Sequence, residues 1–379
     1  MLLTADTLVT GREVLRPGWI EVSDGAVVQT GTGARPRRAD RDLGAVTVVP
    51  GFVDTHVHGG GGVNFSAATP AATATAAEFH RRHGTTTLVA SLVTERPDVL
   101  LHQVSALAGD VADGVIDGIH LEGPWLAATR CGAHEPALMR DPDLAEIDRL
   151  LGAAGTAIRM VTLAPERDGA TAAIGRLVDH RIVVAVGHTE ATYAQTRTAI
   201  AAGATVGTHL FNAMRPIDRR EPGPVIALVE SPDVTVELIT DGVHVDPALY
   251  RHISRSAGDD RVSLITDALS AAGMTDGTYQ LGPLAVDVRQ GVARVAGTDT
   301  IAGSTATMDH QFRFAVTHSG LPHDEALLLA VRQSSVNPAR ALGFPNAELA
   351  AGAPANLVVL DPALEVRGVL RRGSWVVEP

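Results

Sequence analysis

IVVAVGHTEATYAQTRTAIAAGATVGTHLF, residues 182–211, holds one unit of a repeat. A β-branched apolar run ends in Gly187-His188-Thr189, a helical pattern follows, and a second run from Ala204 ends in Thr208-His209. Strands that stay apolar on both faces are those covered on both sides, as parallel strands joined by helices are. The same kind of run recurs before this unit at Gly51–His58, Thr85–Val93, Val115–Gly123 and Ala157–Pro165, and after it at Val234–Asp241 and Val262–Leu269. Eight such runs, each finishing in small or polar residues, predict an α/β protein built on a (β/α)8 TIM barrel and not an open doubly wound sheet.

Outside those runs the pattern changes. Leu15 to Val28 alternates around a turn at Asp24-Gly25, and residues 355–377 alternate as well, so both ends read as antiparallel strands. Each end is too short to bury a core alone, which predicts a small β-sandwich domain formed by both termini, residues 1–49 plus 350–379, beside a catalytic barrel over 50–349. A further alternating stretch at 278–295 predicts a hairpin inserted after the eighth strand, with helices resuming over 304–318 and 322–335.

Composition removes several functions. A chain with 45% hydrophobic residues can fill a core, and 31 basic against 43 acidic residues, a formal net charge of −12, argue against nucleic acid as a partner. The apolar runs are too short to span a membrane. The N-terminus MLLTADTLVTGREVL lacks the basic flank and apolar core of a signal peptide, and the one cysteine, Cys131, has no internal partner for a disulfide, so a cytoplasmic protein is expected. Every basic residue is arginine and none is lysine. Schiff-base and pyridoxal-phosphate enzymes, Walker A nucleotidases and metal pairs bridged by a carbamylated lysine all need that missing amine. The chain is rich instead in histidine, with 15 copies, and in carboxylates.

His56 and His58, two apart at the end of the first strand, leave the same face of that strand. Glu122, His188 and His209 end strands three, five and six, and Asp267 ends the eighth. All six gather at the C-terminal mouth of a barrel, where such enzymes keep their active sites. Without a cation the imidazoles and carboxylates would be buried polar groups short of partners, so a divalent metal is expected. Nitrogen and carboxylate ligands with no thiolate suit Zn²⁺, and Fe²⁺, Co²⁺ or Mn²⁺ could occupy the same set. Asp267 is either the base that moves a proton to and from the reacting water or a support for a ligand histidine. Asn212-Ala213, Arg220 and His244 form a second cluster suited to an anion, with a solvated loop as the alternative for the arginine.

Those residues carry a resemblance. PGFVDTHVHG (50–59) resembles the opening metal motif of the amidohydrolase superfamily, and HLEGPWL (120–126), GAHEP (132–136), GHTEA (187–191), THLFNAM (208–214), REPG (220–223), DGVH (241–244), TDAL (266–269) and AGST (302–305) together resemble the N-acetylglucosamine-6-phosphate deacetylase family. GAPANLVVLD at 352–361 is similar too. The resemblance implies hydrolysis of N-acetyl-D-glucosamine 6-phosphate to D-glucosamine 6-phosphate and acetate by metal-activated water, in amino-sugar catabolism and cell-wall recycling. It implies Glu122, His188 and His209 as the main metal ligands, His56 and His58 as holders of a second ion, and Asp267 as the catalytic acid and base. Ala133, His134, Asn212, Ala213, Arg220, His244, Ile301, Ala302 and Gly303 would contact the substrate, Arg220 and His244 near its phosphate. The family resemblance also implies a homodimer, with the phosphate arginine open to coming from either subunit. A neutral cyclic amide as substrate, or an inactive scaffold, are the competing readings. The first has no use for a phosphate clamp, and the second would require lost ligands.

Overall fold

The eight apolar runs become eight parallel strands paired in chain order in the computed structural model, which describes residues 1–379. They are β1 (Phe52–Val57), β2 (Thr85–Leu92), β3 (Gly118–Glu122), β4 (Ile158–Leu163), β5 (Val183–Val186), β6 (Ala204–Gly207), β7 (Thr235–Leu238) and β8 (Val262–Leu264). Seven helices, the first Pro70–Arg82 and the last Pro247–Ala257, cross between consecutive strands, and an eighth, Met308–His318, follows β8. Outward residues such as Ile119, Leu121, Val161 and Leu264 are fully or almost fully buried against this helical ring. That burial is why the strands read as continuous apolar runs.

No ladder joins β8 to β1, so the seam is closed by other bonds. The N–H of Asp267 donates to the His56 carbonyl and that of His58 to the Ala268 carbonyl, both at 2.8 Å. Beneath them the Asp54 carboxylate accepts from the Thr266 hydroxyl at 2.5 Å and from the backbone N–H groups of Thr266 and His56 at 3.3 Å. The residues that join the seam therefore flank His56 and Asp267 themselves.

Side chains fill the barrel in layers. Val89, Met160, Ala185 and Val206 form an apolar floor with Leu342. Above it lies a buried polar layer in which Ser91 donates to His120 Nδ1 (2.9 Å), His120 Nε2 bonds Thr162 (2.8 Å) and Thr162 bonds Thr208 (2.8 Å). Ser91 Oγ accepts from the Val57 N–H and its own hydrogen has no acceptor other than Nδ1, so satisfying it leaves the His120 proton on Nε2. His120 is thereby satisfied and offers no lone pair to the mouth.

Both termini contribute to two further sheets. Strands Leu2–Ala5, Gly18–Ser23, Ala26–Thr32 and Arg41–Asp42 make one, and Thr7–Val9, Val14–Leu15, Thr47–Pro50, Leu357–Leu360, Val366–Arg371 and Ser374–Val377 make the other. Leu3, Ile20, Val22 and Val27 of the first pack on Leu8, Val48, Leu357, Val359 and Leu370 of the second, giving a sandwich with its own small core. Gly51 is the one residue between Thr47–Pro50 and β1, and a Cβ there would lie 2.2 Å from Thr86 Oγ1, so only glycine lets the chain pass from sandwich to barrel.

Two expectations change in detail. The stretch at 278–295 is a three-stranded meander (Gly277–Leu281, Leu284–Arg289, Val292–Val295) and not a single hairpin, because Gln290-Gly291 makes a second reversal after the one at Gly282. The helix expected from Ser304 begins at Met308, since Ser304 stays extended in a bridge to Ala268. No helix is long and apolar enough to cross a membrane.

Candidate active site

β1 carries a bulge: Leu88 and Ala90 of β2 pair with Asp54 and Val57, so three residues of β1 advance against two of β2. The extra residue resets the alternation. Consecutive side chains Thr55 and His56 then both find partners inside the barrel, Glu237 and Glu122. His58 follows one residue past the strand, with its Nε2 3.2 Å from that of His56.

Glu122, the last residue of β3, sits at the centre of the mouth and is 2% exposed. Its Oε1 lies 3.0 Å from Nε2 of His188 and 3.0 Å from Nε2 of His209, which are 3.1 Å from each other. Its Oε2 faces His58 Nε2 at 3.1 Å and His134 Nε2 at 3.2 Å. Asp267 closes the other side, with Oδ1 3.1 Å from His58 Nε2 and 3.4 Å from His56 Nε2. His188, His209 and Asp267 stand past their strand ends with left-handed backbones, φ 46°, 25° and 49°. Such conformations cost of order 1–3 kcal/mol each and persist where the surroundings impose them, which is commonly at functional sites.

The hydrogen bonds assign the imidazole protons. His188 Nδ1 lies 2.8 Å from the Arg130 carbonyl, which can only accept, so Nδ1 carries the hydrogen and Nε2 presents a bare lone pair. That lone pair faces a carboxylate oxygen and another imidazole nitrogen. With the His209 proton on Nδ1, which has no partner of its own, the three facing atoms are all acceptors about 3 Å apart and repel unless a cation lies among them; a tetrahedral ion with bonds of about 2.1 Å holds its ligands roughly 3.4 Å apart. A metal fits this set. His56, His58, Glu122 and Asp267 form a second group of converging ligand atoms, joined to the first through Glu122.

His134 is of another kind. Its Nδ1 accepts from the Thr94 N–H at 3.2 Å, which leaves the proton on Nε2, and burial lowers its pKa to about 4, so it stays a neutral N–H donor. Burial alone would raise Glu122 and Asp267. The imidazoles around them, His56 foremost, instead hold both below the ordinary carboxylate range.

Above these ligands opens a cavity of about 400 Å³ lined by Ala133, His134, Asn212, Ala213 and His244, with Ile301 and Gly303 on its far wall. Asn212 uses its side-chain NH₂ on the carbonyls of His209 and Leu210, so the N–H of Ala213 (φ 50°) is the donor this turn leaves for a ligand. His244 Nδ1 is 2.7 Å from Asp241 Oδ2. Two of the expected residues are not among those lining the cavity. Ala302 is fully buried, and its N–H donates to the Ala293 carbonyl. Arg220 stands in an exposed loop, and its own N–H donates to Asp218 Oδ1. Arg130, Thr94, Asp299 and Thr300 were not singled out from the sequence. Arg130 lines the cavity and pairs with Glu190, and nothing in its spacing marked it.

Comparisons with known proteins agree with this geometry. Residues 47–376 match the Amidohydrolase family. The N-acetylgalactosamine-6-phosphate deacetylase of Escherichia coli O157:H7 is 36% identical over 87% of this chain and 88% of its own length. The N-acetylglucosamine-6-phosphate deacetylase of Mus musculus is 34% identical over 99% of this chain and 92% of its own. Among solved structures, an aspartate-to-alanine mutant of the Mycobacterium smegmatis N-acetyl-D-glucosamine-6-phosphate deacetylase, in complex with N-acetyl-D-glucosamine-6-phosphate, superposes with a TM-score of 0.99 at 68% identity, covering 100% of this chain and 99% of that one. The Thermotoga maritima N-acetylglucosamine-6-phosphate deacetylase gives 0.89 at 28% identity over the whole of both chains. By its matched length and its identity to these relatives, this chain belongs to the amidohydrolase family of hydrolytic enzymes.

Proposed function

We propose that this enzyme hydrolyses N-acetyl-D-glucosamine 6-phosphate to D-glucosamine 6-phosphate and acetate, as a cytoplasmic homodimer with zinc as its native ion. The observation that carries the reading is one cavity with a cation-binding ligand set at its floor and the Ala213 N–H and His244 on its wall. A neutral cyclic amide would leave that wall unused.

A divalent ion held by Glu122, His188 and His209, with room for a second at His56 and His58, would polarise the acetyl carbonyl and make water more acidic. The chain supplies the remaining steps. Asp267, ionised because its pKa is lowered, takes the proton of the attacking water at a carboxylate oxygen and returns it to the amide nitrogen as the C–N bond breaks. The one Nε2–H of His134, which faces Glu122 Oε2 without substrate, is turned to the oxygen that becomes negative. The Ala213 N–H and His244 hold the phosphate and so orient the acetamido group over the ligands. Acetate release should be measured from a panel holding the 6-phosphates of N-acetylglucosamine and N-acetylgalactosamine together with both unphosphorylated sugars. The Escherichia coli relative makes the galacto epimer the rival substrate, and equal rates on phosphorylated and free sugars would end the phosphate reading.

Arg220 fits this reading as a residue of a second copy reaching across a dimer into its neighbour's mouth, since it lies outside its own cavity. Removing one partner of a desolvated arginine–phosphate pair costs roughly 2–4 kcal/mol, about 30- to 10³-fold. Arg220→Met should lower kcat/KM by that factor on the 6-phosphate and hardly at all on free N-acetylglucosamine. Equal losses on both would show damage to the fold or ligands, and a protein that runs as a monomer at assay concentration would refute the shared site.

The Asp241–His244 pair gives a pH signature. Burial pulls the His244 pKa down, but Asp241 outweighs it and the net shift is upward, while Asp241 itself is lowered. A histidine with a raised pKa keeps its cation fully below the ordinary value near 6.5 and loses it as pH climbs through the raised one. KM for the 6-phosphate should therefore begin to rise only at a pH above the ordinary histidine range. Asp241→Asn should move that rise to lower pH, and superimposable profiles would remove His244 from phosphate recognition.

A further inference from the structure

Glu237 is buried in the barrel, 1% exposed, on β7 between the strands that lead to His209 and Asp267. Its Oε1 accepts from the Thr55 hydroxyl at 3.0 Å. Its Oε2 has no hydrogen-bond partner, and neither has Nδ1 of the fully buried His56; these two unsatisfied atoms face each other at 3.5 Å. Leaving either group unpaired in the interior would cost on the order of 1–3 kcal/mol. Threonine alone does not call for a carboxylate, because any neutral acceptor would satisfy its hydroxyl. The separation exceeds a closed N–H···O bond by a few tenths of an ångström, which a small rotation of the imidazole removes.

We propose that Glu237 is a positioning residue for His56: its Oε2 accepts the Nδ1–H, which fixes the imidazole tautomer and leaves the Nε2 lone pair for a cation. His56 Nε2 already points at Glu122 Oε1 and Asp267 Oδ1, each 3.4 Å away. With the other tautomer, Nε2 would carry a hydrogen and could bind no ion. The β1 bulge is what makes the contact possible, because it brings Thr55 and His56 together into reach of the same side chain. Partners of this kind typically govern metal affinity by 10- to 100-fold. The inference rests on the reading that His56 and His58 hold a second ion only for its effect on uptake; the tautomer stands apart from it.

The test has two arms. In metal-free protein carrying ¹⁵N-labelled histidine, with His56 assigned from the signal lost in His56→Asn and the pH raised until the ring is neutral, the wild type should show a protonated Nδ1 and a bare Nε2. Glu237→Gln keeps the shape and an acceptor for Thr55 but turns the facing group into a donor, and should move the proton to Nε2. An unprotonated Nδ1 in the wild type overturns the proposal whatever the metal count. In the second arm the metal-free proteins are titrated with Co²⁺, whose absorption distinguishes ligand sets. The variant should bind the ion on the His56 side about 10- to 100-fold more weakly and the ion at His188 and His209 as tightly as the wild type. Equal weakening of both would indicate a merely structural role and overturn the proposal, as would no change in either. A wild type that takes up a single ion would defeat the two-ion reading, and the imidazole proton would then decide on Glu237 by itself.

Discussion

Asp267→Asn is expected to lower kcat on N-acetyl-D-glucosamine 6-phosphate by about 10³ to 10⁴ while KM and metal content stay near wild type. An amide has nearly the volume of a carboxylate, so the seam bond from the Asp267 N–H to the His56 carbonyl and the left-handed turn need not move. What disappears is a proton acceptor next to the reacting water. The same group both accepts the proton and gives it back to the nitrogen, so one substitution removes two assisted steps, which puts the loss at the upper end for acid–base catalysis. Asp267 also faces His58 at 3.1 Å, and a variant that lost metal would imitate this result for the wrong reason. Metal content must therefore be measured on the same preparation. If kcat stays above a tenth of wild type with the ion in place, the proton is carried by another group.

His188→Ala should abolish tight metal binding and, with it, activity by about 10³-fold or more, because polarising the carbonyl and acidifying the water are worth several kcal/mol together. Its bare Nε2 lies 3.0 Å from Glu122 Oε1 and 3.1 Å from His209 Nε2, and a site that keeps a position open for water has few protein ligands to lose. His134→Ala is the matched control. The two rings are neighbours with centroids 4.6 Å apart, and both reach Glu122, yet His134 turns an N–H to that carboxylate and His188 a lone pair. Dialysed His134→Ala should keep its metal and lose activity through the missing donor. Metal retained in His188→Ala, or lost equally in both variants, would show that the proton assignments are wrong.

The barrel, its strand ends and the gathering of imidazoles and carboxylates at its mouth were legible in the chain because their signals are local. A strand covered on both faces must be apolar throughout, so VVAV and its counterparts stand out, and the first polar residues after each run fall at one end of the barrel whatever the loops do. Glu122, His188, His209 and Asp267 could be placed from that rule alone, as could the pairing of both termini from their alternation. The polar layer was not legible: Ser91, His120 and Thr162 look like interruptions of apolar runs, and only their mutual hydrogen bonds show that each satisfies the next. Tertiary structure also decided which imidazoles donate and which present lone pairs. A histidine's tautomer depends on what faces its second nitrogen, here the Arg130 carbonyl for His188 and the Thr94 N–H for His134, and both partners are distant in sequence. The β1 bulge is likewise a property of two strands in register, so alternation within β1 could not foretell that Thr55 and His56 both turn inward. Arg220 marks the same boundary. Its motif is local, but whether it reaches the cavity depends on how the loop lies in the folded chain, where Arg220 is exposed and outside the cavity lining.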